Sequence, residues 1–341
     1  MPVTVSDITA QLHPLTGDRL QQVQIKDNGI VALTLTLPPM PAAERDRLIE
    51  QCKVTVKALP EITDVWVRVN APAAPEPAPS DGRQPIPGVR HVIAVSSGKG
   101  GVGKSTVAVN LAVALADQGA QVGILDADIY GPNVPTMLGM DLAKVGIIKN
   151  NRGEDIVEPA FNYGVKMLSM AFLIDRDQPV TWRGPMLNGM IRQFLYQAAW
   201  GVLDFLIVDM PPGTGDAQLT LVQSVPLAGA IIVTTPQNVS LLDARKGLKM
   251  FQNMGVPVLG IVENMSYFIP PDLPERQYDI FGSGGGSKTA TELGVVLLGC
   301  IPLEIQLREG GDRGIPIVLS HPESASAQAL RQIAQKISHT V

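Results

Sequence analysis

Residues 92–106 read VIAVSSGKGGVGKST, an apolar run followed by a glycine-rich loop. The loop fits the pattern Gly-x-x-x-x-Gly-Lys-Ser/Thr, in which glycines let successive backbone N–H groups point at phosphate oxygens. This pattern functions between a strand and the start of a helix, and the flanking residues predict both. We therefore predict a phosphate-binding loop whose ligand contacts come from Gly98, Lys99, Gly100, Gly101, Val102, Gly103, Lys104, Ser105 and Thr106.

Three polar side chains of this loop have expected roles in binding a nucleoside triphosphate. Lys104 should bridge the β- and γ-phosphates and stabilise the transferred charge, and Ser105 should bind Mg²⁺. Thr106 should lie near the α-phosphate. Lys99 is not needed for a simple phosphate cradle, and taken alone it could be a surface lysine that steers an anionic ligand.

After residue 89 the chain alternates between short apolar runs and helical patterning. Runs that are apolar on both faces suit parallel strands that helices cover on both sides. We predict an α/β fold with a doubly wound, mostly parallel sheet. The predicted strands are Val92–Val95, Val122–Leu125, Phe205–Val208, Ala230–Val233, Val258–Val262 and Val295–Leu298. The predicted helices are Ser105–Asp117, Met186–Ala199, Asp216–Val225 and Leu241–Met254.

A proline-rich segment separates this region from the first part of the chain. Residues 71–88 contain six prolines in eighteen positions and favour an extended spacer. We predict a small α/β domain over residues 1–70, a linker over 71–88 and the phosphate-binding domain over 89–341. The small domain should contain strands Val23–Ile25, Ile30–Leu37 and Ile62–Val69, a hairpin turn at 27–29 and a helix over 41–58.

Acidic residues follow two of the predicted strands at the edge where ligands bind parallel sheets. Asp126 and Asp128 end one strand, and one of them can activate water while the other holds the Mg²⁺ shell. Asp209 ends another strand and is placed to hold Mg²⁺ through water. The alternative for all three is helix capping. Residues 211–216, PPGTGD, could form a switch loop that senses the γ-phosphate. Asn264 is either an adenine contact or a turn residue.

Composition excludes several classes of protein. The 341 residues are 45% hydrophobic with a net charge of −5, which excludes general disorder and argues against nucleic acid as a partner. No apolar run approaches ~18 residues, so we expect no membrane-spanning segment. We also expect no membrane partner. The C-terminal residues Leu330, Ile333 and Ile337 fall on one helical face that should pack in the core. The N-terminus has no signal-peptide pattern, and we expect a cytoplasmic protein.

These motifs resemble those of the Mrp/ApbC family, a branch of the deviant Walker A ATPases. The segments that carry the resemblance are SSGKGGVGKST (96–106), LDADIYGPNVP (125–135), WRGPM (182–186), DFLIVDMPPGTGD (204–216), ENMSYF (263–268) and FGSGGG (281–286). The resemblance implies a P-loop NTPase, a homodimer that slowly hydrolyses ATP and carries iron–sulfur clusters to apoproteins. It also implies that Lys99 reaches the partner's nucleotide, that Asp128 activates water and that Asn264 contacts adenine.

The cysteines depart from this family's pattern. Members usually carry Cys-x-x-Cys after the ENMSYF segment, where this chain has Ile269–Pro274 without a thiol. Met40 likewise stands where the small domain often has a cysteine. Only Cys52, expected on a partly exposed helix face, and Cys300, expected to be a buried apolar residue, are available. A second hypothesis is therefore an ATP-switched dimeric regulator or adaptor that no longer binds a cluster.

Overall fold

The structure is a computed structural model that describes residues 3–25, 30–36, 42–60, 62–70, 83–129, 131–143, 145–150, 153–173 and 184–341. The chain divides into two compact units, Met1–Pro77 and Ala78–Val341. The predicted turn at 27–29, Met40 and residues 71–82 of the predicted linker lie outside the described residues.

The first unit packs two helices on one face of a small sheet. Its elements are α1 (Val5–Thr16), β1 (Leu20–Ile25), β2 (Ile30–Thr36), α2 (Ala42–Lys57) and β3 (Asp64–Asn70). Strand β2 pairs antiparallel with β1 and parallel with β3. Helix α1 was not predicted, although Thr4 and Asp7 form a capping box at its start. The expectation that Cys52 is partly exposed is wrong, because its side chain is fully buried among Ile8, Leu12 and the β2 core residues.

The second unit is built around a sheet that has eight strands among the described residues, in the order β13-β12-β11-β4-β10-β5-β9-β8. All neighbours pair parallel except β8 and β9. Its strands are β4 (Val89–Ser97), β5 (Val122–Asp126), β6 (Gly146–Lys149), β7 (Asp155–Glu158), β8 (Ala160–Asn162), β9 (Val165–Ser169), β10 (Leu203–Asp209), β11 (Gly229–Thr234), β12 (Val258–Phe268) and β13 (Leu297–Leu303). Strands β6 and β7 form a separate hairpin. The predicted α/β class with a mostly parallel sheet is confirmed.

Helices cover both faces of this sheet. They are α3 (Lys104–Asp117), α4 (Val134–Met137), α5 (Gly184–Tyr196), α6 (Asp216–Ser224), α7 (Asn238–Asn253), α8 (Gly285–Leu293), α9 (Ile305–Arg313), α10 (Ile317–Ser320) and α11 (Ala325–Thr340). Alternate residues of β4 enter different cores: Ile93 packs in the core of α3, and Ala94 in the core on the opposite face. Leu330, Ile333 and Ile337 of α11 are buried beside α3, as their spacing predicts.

Some element boundaries differ from the sequence prediction. Strand β12 runs to Phe268 instead of Val262, so that Asn264 lies within a strand and not in a turn. Residues 83–88, which the sequence analysis counted in the linker, belong to the second unit. The backbone N–H of Gln84 donates to Ser224 O at 2.9 Å, and Ile86 is buried.

Candidate functional site

The glycine-rich loop connects β4 to α3 at the carboxyl edge of the sheet. Strands β5 and β11 lie on opposite sides of β4, so the loop lies where the strand order reverses direction, a position that favours ligand binding. Helix α3 begins at Lys104, immediately after Gly103, which has a left-handed φ of 83°. A side chain at Gly103 would also collide with Asn264, since an added Cβ would lie 2.1 Å from its Nδ2 atom. The backbone N–H groups at the start of α3 thus remain available to phosphate oxygens.

Lys104 lies between two carboxyl groups that sequence analysis selected. Its Nζ atom is 2.7 Å from Asp209 Oδ1 and 3.5 Å from Asp128 Oδ2. Ser105 Oγ donates to the other oxygen of Asp209 at 2.5 Å. Lys104 and Asp209 are 6% and 0% exposed. A buried charge of either sign is costly without its partner, so each member of this cluster holds the others in place.

The third carboxyl group, Asp126, lies behind this cluster. It accepts hydrogen bonds from Ser169 Oγ at 2.8 Å, Asp128 N at 3.2 Å and Val134 N at 3.4 Å. Burial, and then the negative charge of Asp209, raise the pKa of Asp126 to about 8. Burial therefore favours the protonated form of Asp126 more than that of an ordinary aspartate. Burial also raises the pKa of Asp209, against the opposing effect of Lys104.

Lys99 is half-buried and does not join this cluster. Its Nζ atom lies 3.4 Å from Oε1 of Gln237, the residue before α7. The preceding residue, Gly98, packs directly on α7, since an added Cβ would lie 2.1 Å from the Asp243 carbonyl carbon. The start of the loop is thus fixed to α7.

The PPGTGD segment lies against the strand that carries the loop. Gly213 N donates to Ser97 O at 2.9 Å, and the buried Gln218 holds Pro211 O through its Nε2 atom at 2.5 Å. The residues after Asp209 therefore contact β4 next to the phosphate-binding loop.

A cavity of about 280 Å³ opens beside the end of the loop. Asn264 and Met265 of β12 form one wall, and Asn264 Nδ2 donates to Val102 O at 2.9 Å. Met265 has a left-handed φ of 55°, which is strained for a residue with a side chain. The remaining lining residues are Gly103, Thr106, Asn133, Thr136, Met137, Pro302, Leu303, Glu304, Leu307, Arg308, Gly311 and Asp312.

Most of this lining was not predicted from the sequence. Pro302, Leu303 and Glu304 lie at the carboxyl end of β13, the kind of position that identified Asp209. The predicted strand there ended at Leu298, whereas β13 runs to Leu303, so the argument from the strand end did not reach them. The lining from α4 and α9 has no comparable local signal.

The two cysteines do not form a metal centre in the described residues. Cys300 was expected to be an apolar core residue, but it is half-buried, with Sγ 3.8 Å from Glu263 Oε1. Burial and the neighbouring Glu263 raise the pKa of its thiol. Cys52 belongs to the first unit. The described ranges contain no group of three or more His, Cys, Asp and Glu side chains that could hold a metal ion.

None of the described helices is long and apolar enough to cross a membrane.

Comparison with known proteins places this site in a family. Residues 88–338 match the family model described as ParA: NUBPL iron-transfer P-loop NTPase. The iron-sulfur cluster carrier protein of Synechocystis is 61% identical over 99% of this chain and 98% of its own length. The Escherichia coli protein of the same name is 49% identical over 74% of this chain and 67% of its own length.

Solved structures agree with this assignment. A nucleotide-binding protein from Archaeoglobus fulgidus, in complex with ADP, is 39% identical, covers 70% of this chain and 90% of its own, and has a TM-score of 0.60. The cell division ATPase MinD of Pyrococcus furiosus is 28% identical, with a TM-score of 0.53 over 74% of this chain and 99% of its own. The resemblance seen in the sequence is thus confirmed, and the chain belongs to the family of NUBPL-type iron-transfer P-loop NTPases.

Proposed function

We propose that this protein is an ATP-dependent iron–sulfur cluster carrier that hydrolyses ATP slowly, requires Mg²⁺ and delivers clusters to apoproteins. The observation that carries the nucleotide part is the contact of Lys104 and Ser105 with Asp209 at the end of a phosphate-binding loop. The family and the cluster-carrier relatives support the cluster part.

The described residues fit a nucleotide and its Mg²⁺. The loop N–H groups and Lys104 would bind the phosphates, and the cavity beside Asn264 has room for the nucleoside. Ser105, Asp126 and Asp209 would hold Mg²⁺, with Asp126 behind the other two. Mg²⁺ commonly keeps waters and substrate oxygens as ligands. The site can therefore bind it although the described residues contain no group of three or more His, Cys, Asp and Glu side chains suited to a metal. When bound, Mg²⁺ would neutralise phosphate charge.

The side chains of the site have separate roles in ATP hydrolysis. Lys104 stabilises negative charge on the transferred phosphoryl group, and Asp128 orients the attacking water. We propose that Lys99 reaches the second nucleotide of a homodimer. In the structure Lys99 contacts Gln237. The PPGTGD loop, which contacts β4, is offered as the γ-phosphate sensor.

The division of labour along the chain is also part of the proposal. We propose residues 89–341 as the ATPase domain, residues 1–70 as the small domain and 71–88 as the linker, of which residues 83–88 pack on the ATPase domain. We propose a cytoplasmic homodimer, since free thiols are ordinary in a reducing compartment. Its partners are apo iron–sulfur proteins, without nucleic acid or a membrane.

One observation favours a second function, an ATP-switched regulator without cargo. Cysteine thiolates are the usual protein ligands of iron–sulfur clusters. Cys52 is fully buried in the first unit, and the pKa of Cys300 is raised, so neither thiol is prepared for that task. If the protein carries a cluster, its ligands are either the Cys300 thiolates of two subunits or groups that are supplied with the cargo.

Anaerobic loading with iron and sulfide distinguishes the two functions. A carrier binds both in stoichiometric amounts, and Cys300→Ser, with Cys52→Ser as the buried control, shows whether a thiolate holds the cluster. A protein that hydrolyses ATP but retains no iron or sulfide is a regulator. A wild-type protein that does not hydrolyse ATP would contradict both functions.

A further inference from the structure

A buried carboxyl group joins two elements next to the nucleotide cavity. Glu263 is 2% exposed and lies in β12, immediately before Asn264. Its Oε2 atom accepts the backbone N–H of Gly286, in the first turn of α8, at 2.5 Å. That N–H is one of the donors that a helix start leaves unsatisfied, and a carboxylate there is also favoured by the helix dipole. Glu263 therefore fixes the start of α8 to β12.

The glycines of the FGSGGG segment have a structural explanation in this contact. An added Cβ at Gly286 would lie 2.9 Å from Glu263 Oε2. An added Cβ at Gly285 would lie 2.6 Å from both Leu241 Cδ1 and Pro236 O, at the start of α7. The backbone carbonyl of Pro236 closes Gly285 to any side chain, and a side chain at Gly286 would have to displace the carboxyl group of Glu263. The segment is thus built so that α8 can approach β12 and α7.

The same stretch of β12 forms the wall of the cavity. Asn264 donates to Val102 O of the phosphate-binding loop, and Met265 follows it in a left-handed conformation. Because Glu263, Asn264 and Met265 are consecutive, a displacement of the backbone at Asn264 passes directly to the residue that carries the carboxyl group. Ser266 Oγ, which donates to Glu263 O at 2.8 Å, adds a further contact within this stretch of β12.

An exposed segment lies between the two elements that Glu263 joins. Residues 271–280 are all exposed. The segment is attached to β12 at Phe268, whose backbone exchanges two 2.8 Å hydrogen bonds with Tyr278, and at its other end by the contact of Gly286 with Glu263.

We propose that the contact between Glu263 and Gly286 transmits nucleotide occupancy of the cavity to the exposed segment 269–284. A base bound against Asn264 and Met265 limits the motion of β12. Through Glu263 it also limits the motion of the start of α8, so that the segment between them unfolds locally less often. This inference rests on the proposed nucleotide site, and it makes Glu263 a positioning residue that contacts no substrate.

Trypsin cleavage after Arg276, the exposed arginine within the segment, measures this coupling. The full-length protein is digested with and without a non-hydrolysable ATP analogue and Mg²⁺, and the peptide that starts at Gln277 is quantified by mass spectrometry. We expect nucleotide to slow this cleavage at least about fivefold in the wild type. In Glu263→Ala and Gly286→Ala, which break the contact from either side, the rates with and without nucleotide should agree.

Two further variants distinguish coupling from loss of folding. Glu263→Gln retains an acceptor oxygen for the Gly286 N–H and should keep most of the protection. Ser287→Ala changes an exposed neighbour on α8 and should behave as the wild type. Nucleotide affinity is measured for each variant with a fluorescent ATP analogue, and only variants that still bind are compared.

The outcomes separate this inference from the proposed function. A wild-type protein that binds no nucleotide contradicts the proposed function. A wild type that binds nucleotide without protection at Arg276, or Glu263→Ala and Gly286→Ala variants that keep full protection, would overturn the inference and leave the nucleotide site intact.

Discussion

The ammonium group of Lys104 lies 2.7 Å from Asp209 Oδ1, and both side chains are buried. The positive charge of the loop lysine is therefore balanced by a carboxylate of the same site. We expect Lys104 to contact phosphate oxygens as well, and Asp209 and Ser105 to face the metal. Ion pairs within the site thus hold these side chains in position.

Replacing the lysine tests this arrangement. Lys104→Ala should lower ATP hydrolysis by about 10²–10³-fold or more, because the charge that stabilises the transferred phosphoryl group is lost. It should also destabilise the nucleotide-free fold by about 3–5 kcal/mol, since Asp209 is left buried without a cation. Steady-state phosphate release and urea unfolding measure the two effects. Lys149→Ala, at an exposed lysine of β6, is the control, and an unchanged turnover in Lys104→Ala would disprove the loop assignment.

Asp128 is expected to act on the water and not on nucleotide binding. Asp128→Asn should lower kcat by about 10²-fold, the range for a positioned general base. The Kd for ATP should stay within about threefold of the wild type, because phosphate binding depends on Lys104 and the backbone. Single-turnover hydrolysis and equilibrium binding separate these two quantities. A variant that binds ATP more weakly but hydrolyses it at the wild-type rate would assign Asp128 to binding instead.

Asp126 should make the stability of the nucleotide-free protein depend on pH. Its pKa is raised to about 8 in the folded protein, from an ordinary 3.8, so between these values the folded state binds the extra proton. The free energy of unfolding should therefore fall as pH rises from about 4 to about 8. Asp126→Asn should flatten this decline in Tm, measured with a chelator present.

A matched carboxyl group controls for general effects of charge. Asp279→Asn, in the exposed segment after β12, should leave the decline in Tm as in the wild type. An Asp126→Asn protein that loses as much stability between pH 5 and 8 as the wild type would show that another group is responsible.

Asn264 should contribute to affinity for the base. Asn264→Ala should raise the Kd for ATP about tenfold, which corresponds to ~1.4 kcal/mol, and should reduce the preference for ATP over GTP. Part of this loss would come from the broken hydrogen bond to Val102 O, which shapes the loop. Asn253→Ala, at an exposed asparagine at the end of α7, is the control. Unchanged affinities for both nucleotides would exclude a base contact.

Local patterns in the sequence were sufficient to select the residues that the fold brings together around Lys104. The spacing of Lys104 and Ser105 within the loop and the position of Asp209 after an apolar run are each readable within about ten residues. The parallel sheet follows from runs that are apolar on both faces. These features depend little on the rest of the chain.

Other features depend on contacts between distant residues. Asn264 meets Val102 across 162 positions, and no local pattern shows that contact. Cys300 follows an apolar run, yet the pairing of β12 with β13 places it opposite Glu263, so its surroundings are polar. The face of α2 that is buried depends on how it packs against α1, and for this reason the exposure expected for Cys52 was wrong.

The central claim is that this chain uses a nucleotide to deliver a cluster, and cluster transfer tests it most directly. The protein is loaded anaerobically with ⁵⁵Fe and sulfide, separated from free iron and mixed with an apo-ferredoxin, with and without ATP and Mg²⁺. We predict that ⁵⁵Fe and sulfide move together to the acceptor, at a rate that depends on ATP in the wild type and not in Lys104→Ala. A protein that retains no cluster after the loading step, or that transfers the cluster at the same rate without a nucleotide, would contradict the account.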